Sequence, residues 1–200
     1  MRKNLGPGAV VILAGGEGRR IGGGKPQRML GGKSLLERAL AQAQGWSSLI
    51  AISSRHGLEL IPDSDIPQLI DGSDRGPIAG IAAALGFARQ QGVDHVLTIP
   101  CDTPFLPTDL PDRLGAALTG AAGAALAMSK GRLHPTCGLW RVTCLDEIPL
   151  YLATGRASLH GFAEAVGAIS VEWPVEPIDP FFNINTAPDL AQAEAWLRNR

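Results

Sequence analysis

Short apolar segments alternate with longer amphipathic segments in the first half of the chain, and this alternation most restricts the possible folds. Residues 9–13 and 95–99 are short apolar runs, whereas residues 34–44 and 79–91 have helical spacing. Strands that alternate with helices form parallel sheets, because each right-handed crossover places a helix on one face. The pattern predicts a Rossmann-like α/β fold, with a mostly parallel sheet flanked by helices.

The second half is less regular, but it continues the same architecture. We predict strands at 49–53, 67–70, 132–139 and 169–173, and helices at 108–118 (with Thr108 as N-cap), 146–153, 158–166 and 188–199. Residues 121–128 fit either a strand or an apolar helix. No linker or internal repeat interrupts the chain, so we expect residues 1–200 to form one domain.

The charge balance argues against a nucleic-acid partner. The chain has 18 Lys and Arg against 19 Asp and Glu, a formal net charge of −1, whereas proteins that neutralise many phosphates usually carry a basic surface. No segment reaches the roughly 20 apolar residues needed to span a bilayer, and the apolar run near the N-terminus is too short for a signal-peptide core. We therefore expect a cytoplasmic protein that contacts neither nucleic acid nor membrane.

The cysteines do not suggest a disulfide framework or a zinc site. Cys101, Cys137 and Cys144 are an odd number and contain no C-x-x-C pair. We predict reduced, buried thiols.

A glycine-rich segment directly after the first predicted strand gives the strongest indication of function. Residues 13–25 contain six glycines, two adjacent arginines and Lys25. In open α/β sheets, ligands bind at the carboxyl ends of the strands. Glycine lets backbone N–H groups approach phosphate oxygens closely, and arginine and lysine supply positive charge. The segment therefore predicts a phosphate-binding loop.

Two common phosphate-binding motifs do not fit this segment. The Walker sequence G-x-x-x-x-G-K-[ST] fails because Lys25 is followed by Pro26, and the dinucleotide fingerprint G-x-G-x-x-G would need glycine where Ile21 stands. The alternative is an exposed loop with solvated charges, which its position after a buried strand disfavours.

One carboxylate is a candidate metal ligand. Asp102 follows the apolar run 95–99 and lies between Pro100 and Pro104. Its predicted position is the same edge of the sheet as the glycine-rich loop, and Mg²⁺ prefers one or two protein carboxylates together with phosphate oxygens. The alternative is an aspartate that only caps a turn.

Several motifs together resemble the molybdenum cofactor guanylyltransferases. Residues 13–23 (LAGGEGRRIGG), followed by Lys25 and by L-x-G-K-x-L-L, resemble the signature loop of that family, and P-C-D-T-P at 100–104 matches its metal-binding motif. Residues 183–190 resemble its N-x-N-T-P-x-[DE]-L element, with Ala187 in place of the first proline. Gly24 stands where the family commonly has an aspartate.

The resemblance implies roles for individual residues. It implies a nucleotidyltransferase of the nucleotide-diphospho-sugar transferase-like fold, in which the N-terminal half binds nucleotide and the C-terminal half binds the acceptor. The implied catalytic residues are Lys25, Arg19 and Asp102, and the implied metal ligands are Asp102 and Asn185. The implied nucleotide-binding residues are Leu13, Ala14, Gly15, Gly16, Lys25, Ser54, Asp71, Gly76 and Asp102. The implied acceptor-binding residues are His134 and Asn183.

Simpler readings of some of these residues stay open. Asn185 or Thr186 could only cap the helix that follows, and a lone histidine such as His134 is more often structural.

The resemblance also implies the reaction. It is the Mg²⁺-dependent transfer of GMP from GTP to the terminal phosphate of molybdopterin, with release of pyrophosphate. G-P-I-A-G at 76–80, and glycine rather than alanine at position 16, favour the guanylyl branch. Transient contacts with cofactor-synthesis or molybdoenzyme-maturation proteins are a further expectation. The alternatives are a transferase that uses CTP or a sugar-phosphate acceptor, and a non-catalytic chaperone that binds a nucleotide or cofactor.

Overall fold

The computed structural model describes residues 7–15, 24–55, 65–70 and 76–198. Its main feature is a seven-stranded sheet with helices on both faces. The strands are β1 (Ala9–Leu13), β2 (Met29–Leu30), β3 (Lys33–Ser34), β4 (Ile50–Ser54), β5 (Gln68–Ile70), β6 (His95–Pro100), β7 (Ala124–Ser129), β8 (Arg132–Arg141) and β9 (Ile169–Glu172). The helices are α1 (Leu35–Gln44), α2 (Pro77–Gln90), α3 (Leu110–Ala117), α4 (Cys144–Ala153), α5 (Leu159–Ala165) and α6 (Ala187–Arg198).

The order of the strands creates a crevice at the carboxyl end of β1. The sheet has the order β5-β4-β1-β6-β8-β7-β9, and β2 and β3 form a separate hairpin. Strand β1 pairs in parallel with both β4 and β6, whereas β8 runs antiparallel to β6 and β7. The chain leaves β1 towards β4 and β5 on one side and later returns to β6 on the other. Such a switch point is where open α/β sheets bind ligands.

Both faces of the sheet are covered, which explains why β1 is apolar at every position. Val10 and Ile12 pack into the cluster that contains α1 and α3. Ala9 and Val11 pack into the cluster that contains α2, α4 and α5. A third and smaller cluster joins α6 to the β2–β3 hairpin and to the start of α1 through Leu30, Leu35, Phe105, Ile184 and Ala193.

A local sequence signal determines where α1 begins, whereas no such signal identifies the start of α3. Ser34 caps α1 with a reciprocal pair of bonds, because its hydroxyl accepts from the Glu37 N–H (3.1 Å) and its own N–H donates to the Glu37 carboxylate (2.6 Å). The prediction that α3 begins at Thr108 was wrong: α3 begins at Leu110 and Asp109 is its N-cap. The Asp109 carboxylate accepts instead from the Trp173 indole N–H (3.0 Å), a partner from a distant strand end that local sequence cannot reveal. The ambiguous segment 121–128 contains the strand β7.

Among the residues that the structure describes, no helix combines the length and apolar character needed to cross a bilayer.

Candidate active site

A cleft of about 240 Å³, open to solvent, lies at the carboxyl ends of β1, β4 and β6. It therefore occupies the switch point of the sheet. Its lining residues are Leu13, Gly15, Lys25, Ser53, Arg55, Gly76, Pro77, Gly80, Pro100, Cys101, Asp102, Thr136 and Asn183.

The Lys25 ammonium is the centre of a polar cluster in this cleft, in which Lys25 and Asp102 are buried and the two asparagines are exposed. It forms an ion pair with the Asp102 carboxylate, and the two side chains are only 9% and 12% exposed. The same ammonium donates to Asn185 Oδ1 (2.7 Å) and to Asn183 Oδ1 (3.4 Å). Three oxygen-bearing side chains from two distant parts of the sequence thus converge on one positive charge.

Backbone contacts hold the two asparagines in place. The Ile184 N–H donates to the carbonyl oxygen of Asp102 (2.9 Å), which ties residues 183–185 directly to the segment after β6. On the other side, the Asp189 carboxylate accepts from the backbone N–H groups of Asn185 (2.9 Å) and Thr186 (2.8 Å). The Asp189 N–H donates to the Thr186 hydroxyl (3.3 Å). Thr186 therefore does act as a helix cap, while the Asn185 side chain remains committed to the cluster.

A tight turn places Lys25 in the cleft. Lys25–Gln27 form a single 3₁₀ turn, and Gly24 precedes it with φ 59° and ψ 35°, a left-handed conformation that favours glycine. A Cβ at position 24 would also lie 2.6 Å from the Gln27 side-chain oxygen. This left-handed conformation favours glycine at position 24.

The first turn of α2 forms another part of the wall. Gly76 is the N-cap and provides no side-chain cap, and Gly76, Pro77 and Gly80 all line the cleft. The N-terminus of a helix carries unpaired N–H groups and a partial positive charge, so this wall suits an anionic ligand.

The structure places the remaining predicted residues as follows. Leu13 and Gly15 line the cleft, whereas Ala14 packs in the core. Ser54 is buried in the sheet, and its neighbours Ser53 and Arg55 line the cleft. Gly16, Arg19 and Asp71 lie outside the described residues.

His134 belongs to a polar network beside the cleft. Its ring stacks on Phe181 (centroids 4.9 Å apart), and its Nε2 lies 2.8 Å from Ser129 Oγ. The Ser129 hydroxyl donates to the Asp179 carboxylate (3.2 Å), which can only accept. Since that proton is used, Ser129 Oγ accepts from His134 Nε2–H, and Nδ1 is left as an acceptor. Burial lowers the pKa of His134, which favours this neutral form. Two residues further along β8, Thr136 reaches the cleft.

Among the lining residues, Arg55 belongs to none of the sequence motifs, and Ser53 and Thr136 were given no site role. Ser53 and Arg55 alternate with Ser54 along the chain, so they point to the opposite face from the serine that the family resemblance implied. The three cysteines are free and buried, as predicted. Burial, together with the neighbouring Asp102 carboxylate, raises the pKa of the Cys101 thiol in the cleft wall.

The donors in the cluster suit a hard cation. In the described part of the chain, no group of three or more His, Cys, Asp or Glu side chains is placed to bind a metal. The cluster instead offers one carboxylate and two amide oxygens, already arranged around a positive charge. Mg²⁺ prefers such oxygen ligands and takes the rest of its shell from phosphate and water.

Comparison with known proteins agrees with this geometry. Residues 10–167 match the family described as the MobA-like NTP transferase domain. A molybdenum cofactor guanylyltransferase from Rhizobium meliloti (strain 1021) is 39% identical over 203 residues, which cover 94% of this chain and 90% of that protein. A protein of the same name from Acidiphilium cryptum (strain JF-5) is 41% identical over 189 residues, covering 92% of this chain and 93% of the relative.

Solved structures share the fold. Molybdopterin-guanine dinucleotide biosynthesis protein A from Archaeoglobus fulgidus superimposes with a TM-score of 0.76 at 24% identity, over 96% of this chain and 100% of that one. The 2-C-methyl-D-erythritol 4-phosphate cytidylyltransferase from Thermus thermophilus gives a TM-score of 0.71 at 24% identity, over 96% of this chain and 99% of that one.

Proposed function

The chain belongs to the MobA-like NTP transferase family, and on that premise we propose that it transfers GMP from GTP to molybdopterin, with or without bound molybdenum. An oxygen of the terminal phosphate of the acceptor attacks the α-phosphorus of GTP. The bond between the α-phosphorus and the bridging oxygen breaks, and pyrophosphate leaves. The products are a guanine dinucleotide form of the cofactor and pyrophosphate.

One observation carries this proposal. Lys25, Asp102 and Asn183 line a cleft at the switch point of the sheet, and Asn185 bonds to Lys25. The chain is about 40% identical to named guanylyltransferases over nearly its whole length. The cluster around Lys25 brings a phosphate-binding cation and cation-binding oxygens to one place. Nucleotidyl transfer needs this combination, since it depends on positioning and charge neutralisation.

We assign Asp102 and Asn185 as the residues that hold Mg²⁺. When bound, the ion stabilises negative charge on the triphosphate as the bond to the α-phosphorus breaks. Lys25 pairs with Asp102. We assign its ammonium to the triphosphate, where it would neutralise the charge of the departing pyrophosphate.

Other residues bind and orient the nucleotide. Gly15 and Leu13 at the end of β1, and Gly76 at the start of α2, line the cleft where backbone N–H groups can approach phosphate oxygens. Gly16 and Asp71 keep the nucleotide-binding roles, and Arg19 the catalytic role, that the family resemblance implies. Among the described residues, Ser53 replaces Ser54 as the serine that faces the ligand.

The acceptor lies towards β8. Asn183 lines the cleft. The neutral His134, two residues before the lining residue Thr136 on β8, offers Nδ1 to a hydrogen-bond donor of the acceptor. The reaction needs no general base, because a phosphate monoester has a second pKa near 6 and is largely dianionic at neutral pH. Three buried free thiols fit a reducing compartment, and we place the reaction in the cytoplasm. Transient contacts with cofactor-synthesis or molybdoenzyme-maturation proteins stay a prediction.

The test is a reconstituted transfer assay with purified protein, molybdopterin, Mg²⁺ and either GTP or CTP. We expect pyrophosphate release and a guanine dinucleotide product with GTP. Asp102→Ala should abolish turnover, and Lys25→Ala should lower it by about 10²-fold or more. Asp146→Ala, the same change at an exposed carboxylate on α4, should leave it unchanged.

The same assay separates the alternatives. Preference for CTP would identify a cytidylyl transferase, and product formation only with a sugar phosphate would replace the acceptor. Binding of GTP without Mg²⁺-dependent release of pyrophosphate would indicate a non-catalytic chaperone. Full turnover by the Asp102→Ala protein would overturn the metal assignment.

A further inference from the structure

Arg55 lines the cleft at the end opposite the Lys25 cluster. It directly follows β4, and it lines the cleft together with Ser53 and with Gly76 and Pro77 of the α2 start. No motif in the sequence pointed to it. In the described part of the cleft wall, Lys25 and Arg55 are the two cationic side chains.

The strand register separates these two cations. Leu13 of β1 is level with Ser53 of β4 on one side and with Pro100 of β6 on the other. Neighbouring strands lie about 4.8 Å apart, so the segments that follow β4 and β6 emerge on the order of 10 Å from each other. Asp102 and its partner Lys25 mark the β6 end, and Arg55 marks the β4 end.

This separation orients a nucleoside triphosphate. The phosphates and their metal belong at the β6 end, where the ammonium and the oxygen donors converge. In that orientation the nucleoside would extend across β1 towards β4. Its base would then reach the part of the cleft that is lined by Arg55, Ser53 and the first turn of α2.

The chemistry of arginine suits one class of base. A guanidinium carries parallel N–H donors and no acceptor. Guanine presents two adjacent acceptors, O6 and N7, that match this fork, and arginine to this edge is the commonest specific contact to guanine in protein–DNA complexes. At the corresponding edge, cytosine presents its N4 amino group and adenine its N6 amino group, and both are donors. The adjacent acceptors O2 and N3 of cytosine lie on a different edge of the base, so the discrimination depends on the edge that faces Arg55.

We propose that the Arg55 guanidinium donates to O6 and N7 of the guanine base and thereby selects GTP over CTP. This inference rests on the proposed guanylyl transfer and names the residue that sets its base specificity. It is a contact to the base and not to the phosphates, and that distinction makes it testable.

The experiment measures equilibrium binding of GTP, CTP, ITP and 7-deaza-GTP to the full-length protein with Mg²⁺, with transfer kinetics in parallel. The proteins are wild type, Arg55→Ala, Arg55→Lys and, as a control, Arg156→Ala, which removes an exposed arginine that lies over the Tyr151 ring. Thermal melting checks that each variant is folded.

We expect Arg55→Ala to weaken GTP binding by about 10- to 100-fold, in line with the usual discrimination of a bidentate arginine–guanine pair, and to leave CTP binding nearly unchanged. ITP keeps O6 and N7, so Arg55→Ala should weaken ITP binding by the same factor as GTP binding. 7-Deaza-GTP lacks N7, so wild type should bind it less well than GTP, and Arg55→Ala should bind both equally. Arg55→Lys keeps the positive charge but not the two parallel N–H donors, so it should recover only part of the lost GTP affinity. Arg156→Ala should match wild type.

Two results would overturn the proposal. Equal losses of GTP and CTP binding in Arg55→Ala would place the arginine on the phosphates, and a 7-deaza penalty that persists in Arg55→Ala would place N7 recognition elsewhere. A failure of the proposed function would give a different result. If the wild-type protein binds GTP but does not transfer GMP, the proposed function is wrong, and the binding of the four nucleotides still tests the role of Arg55. Wild type that prefers CTP refutes both.

Discussion

The buried pair of Lys25 and Asp102 should show strong energetic coupling in the ligand-free protein. We would replace Lys25 with methionine and Asp102 with asparagine, separately and together, and measure urea unfolding without Mg²⁺. Removing one partner of a buried ion pair typically costs about 3–5 kcal/mol, since the other charge is left uncompensated. These side chains are 9% and 12% exposed and border an open cleft, so water reduces the penalty, and we expect about 2–3 kcal/mol for each single change.

The double variant carries the diagnostic information. With both charges removed, neither charge is left without a partner. The double variant should therefore lose about 2 kcal/mol less stability than the sum of the two single losses. In thermal melts, a single loss of this size corresponds to a decrease of roughly 4–12 °C for a domain of 150–250 residues.

A second cycle provides the control. The exposed pair of Arg89 and Asp146 has good bidentate geometry (2.9 and 2.8 Å), but its side chains are 45% and 68% exposed. Water and salt screen such a pair, so its coupling should be far smaller. Single variants of Lys25 and Asp102 as stable as wild type, or a double variant whose loss equals the sum, would refute the idea of a strongly coupled buried pair.

Three further predictions concern packing, thiols and pH. Gly138→Ala should destabilise the protein by about 1–3 kcal/mol, because the new Cβ would lie 2.2 Å from the Leu126 side chain. Gly86→Ala on α2, where the methyl group meets nothing within 4 Å, should stabilise it by about 0.5–1 kcal/mol. If chemical denaturation shows Gly138→Ala to be more stable than Gly86→Ala, both packing arguments are wrong. The three cysteines are buried, and burial raises the pKa of each thiol, so we expect a thiol reagent at neutral pH to label them only after unfolding; rapid native labelling would count against the packing described. Burial lowers the pKa of both His95 and His134 from the ordinary 6.5, so the unfolded chain binds more protons as pH falls below about 6.5, and the stabilisation present above that pH is progressively lost. Replacing both histidines with glutamine should flatten the dependence of unfolding free energy on pH between about pH 7 and 5, and an unchanged slope would disprove this origin.

Much of the fold was predictable because it depends on local patterns. The alternation of apolar runs and helical stretches predicted the mostly parallel sheet flanked by helices, and the family resemblance is confirmed by the comparisons. The capping box at Ser34 marks the start of α1 in four residues of sequence. The start of α3 was not predictable, since the Asp109 carboxylate is held by Trp173, 64 residues away.

The candidate site was also only partly predictable from the sequence. Lys25 and Asp102 could be placed at one edge of the sheet, because the carboxyl ends of parallel neighbours meet there, and the structure does bring them together. Their direct pairing was not foreseen: motifs indicate which residues share a site, but not which of them contact each other in the absence of ligand. Ser53 and Arg55 escaped notice because their role depends on which face of β4 turns towards the cleft.

The late position of the asparagine donors in the chain has a consequence for truncated forms of the protein. Every strand of the seven-stranded sheet ends by residue 172, yet two of the three oxygen donors around Lys25 lie at 183 and 185. A chain that stopped between these points would keep every strand of the sheet but only one donor of the three. It would also lose the backbone bond between Ile184 and Asp102.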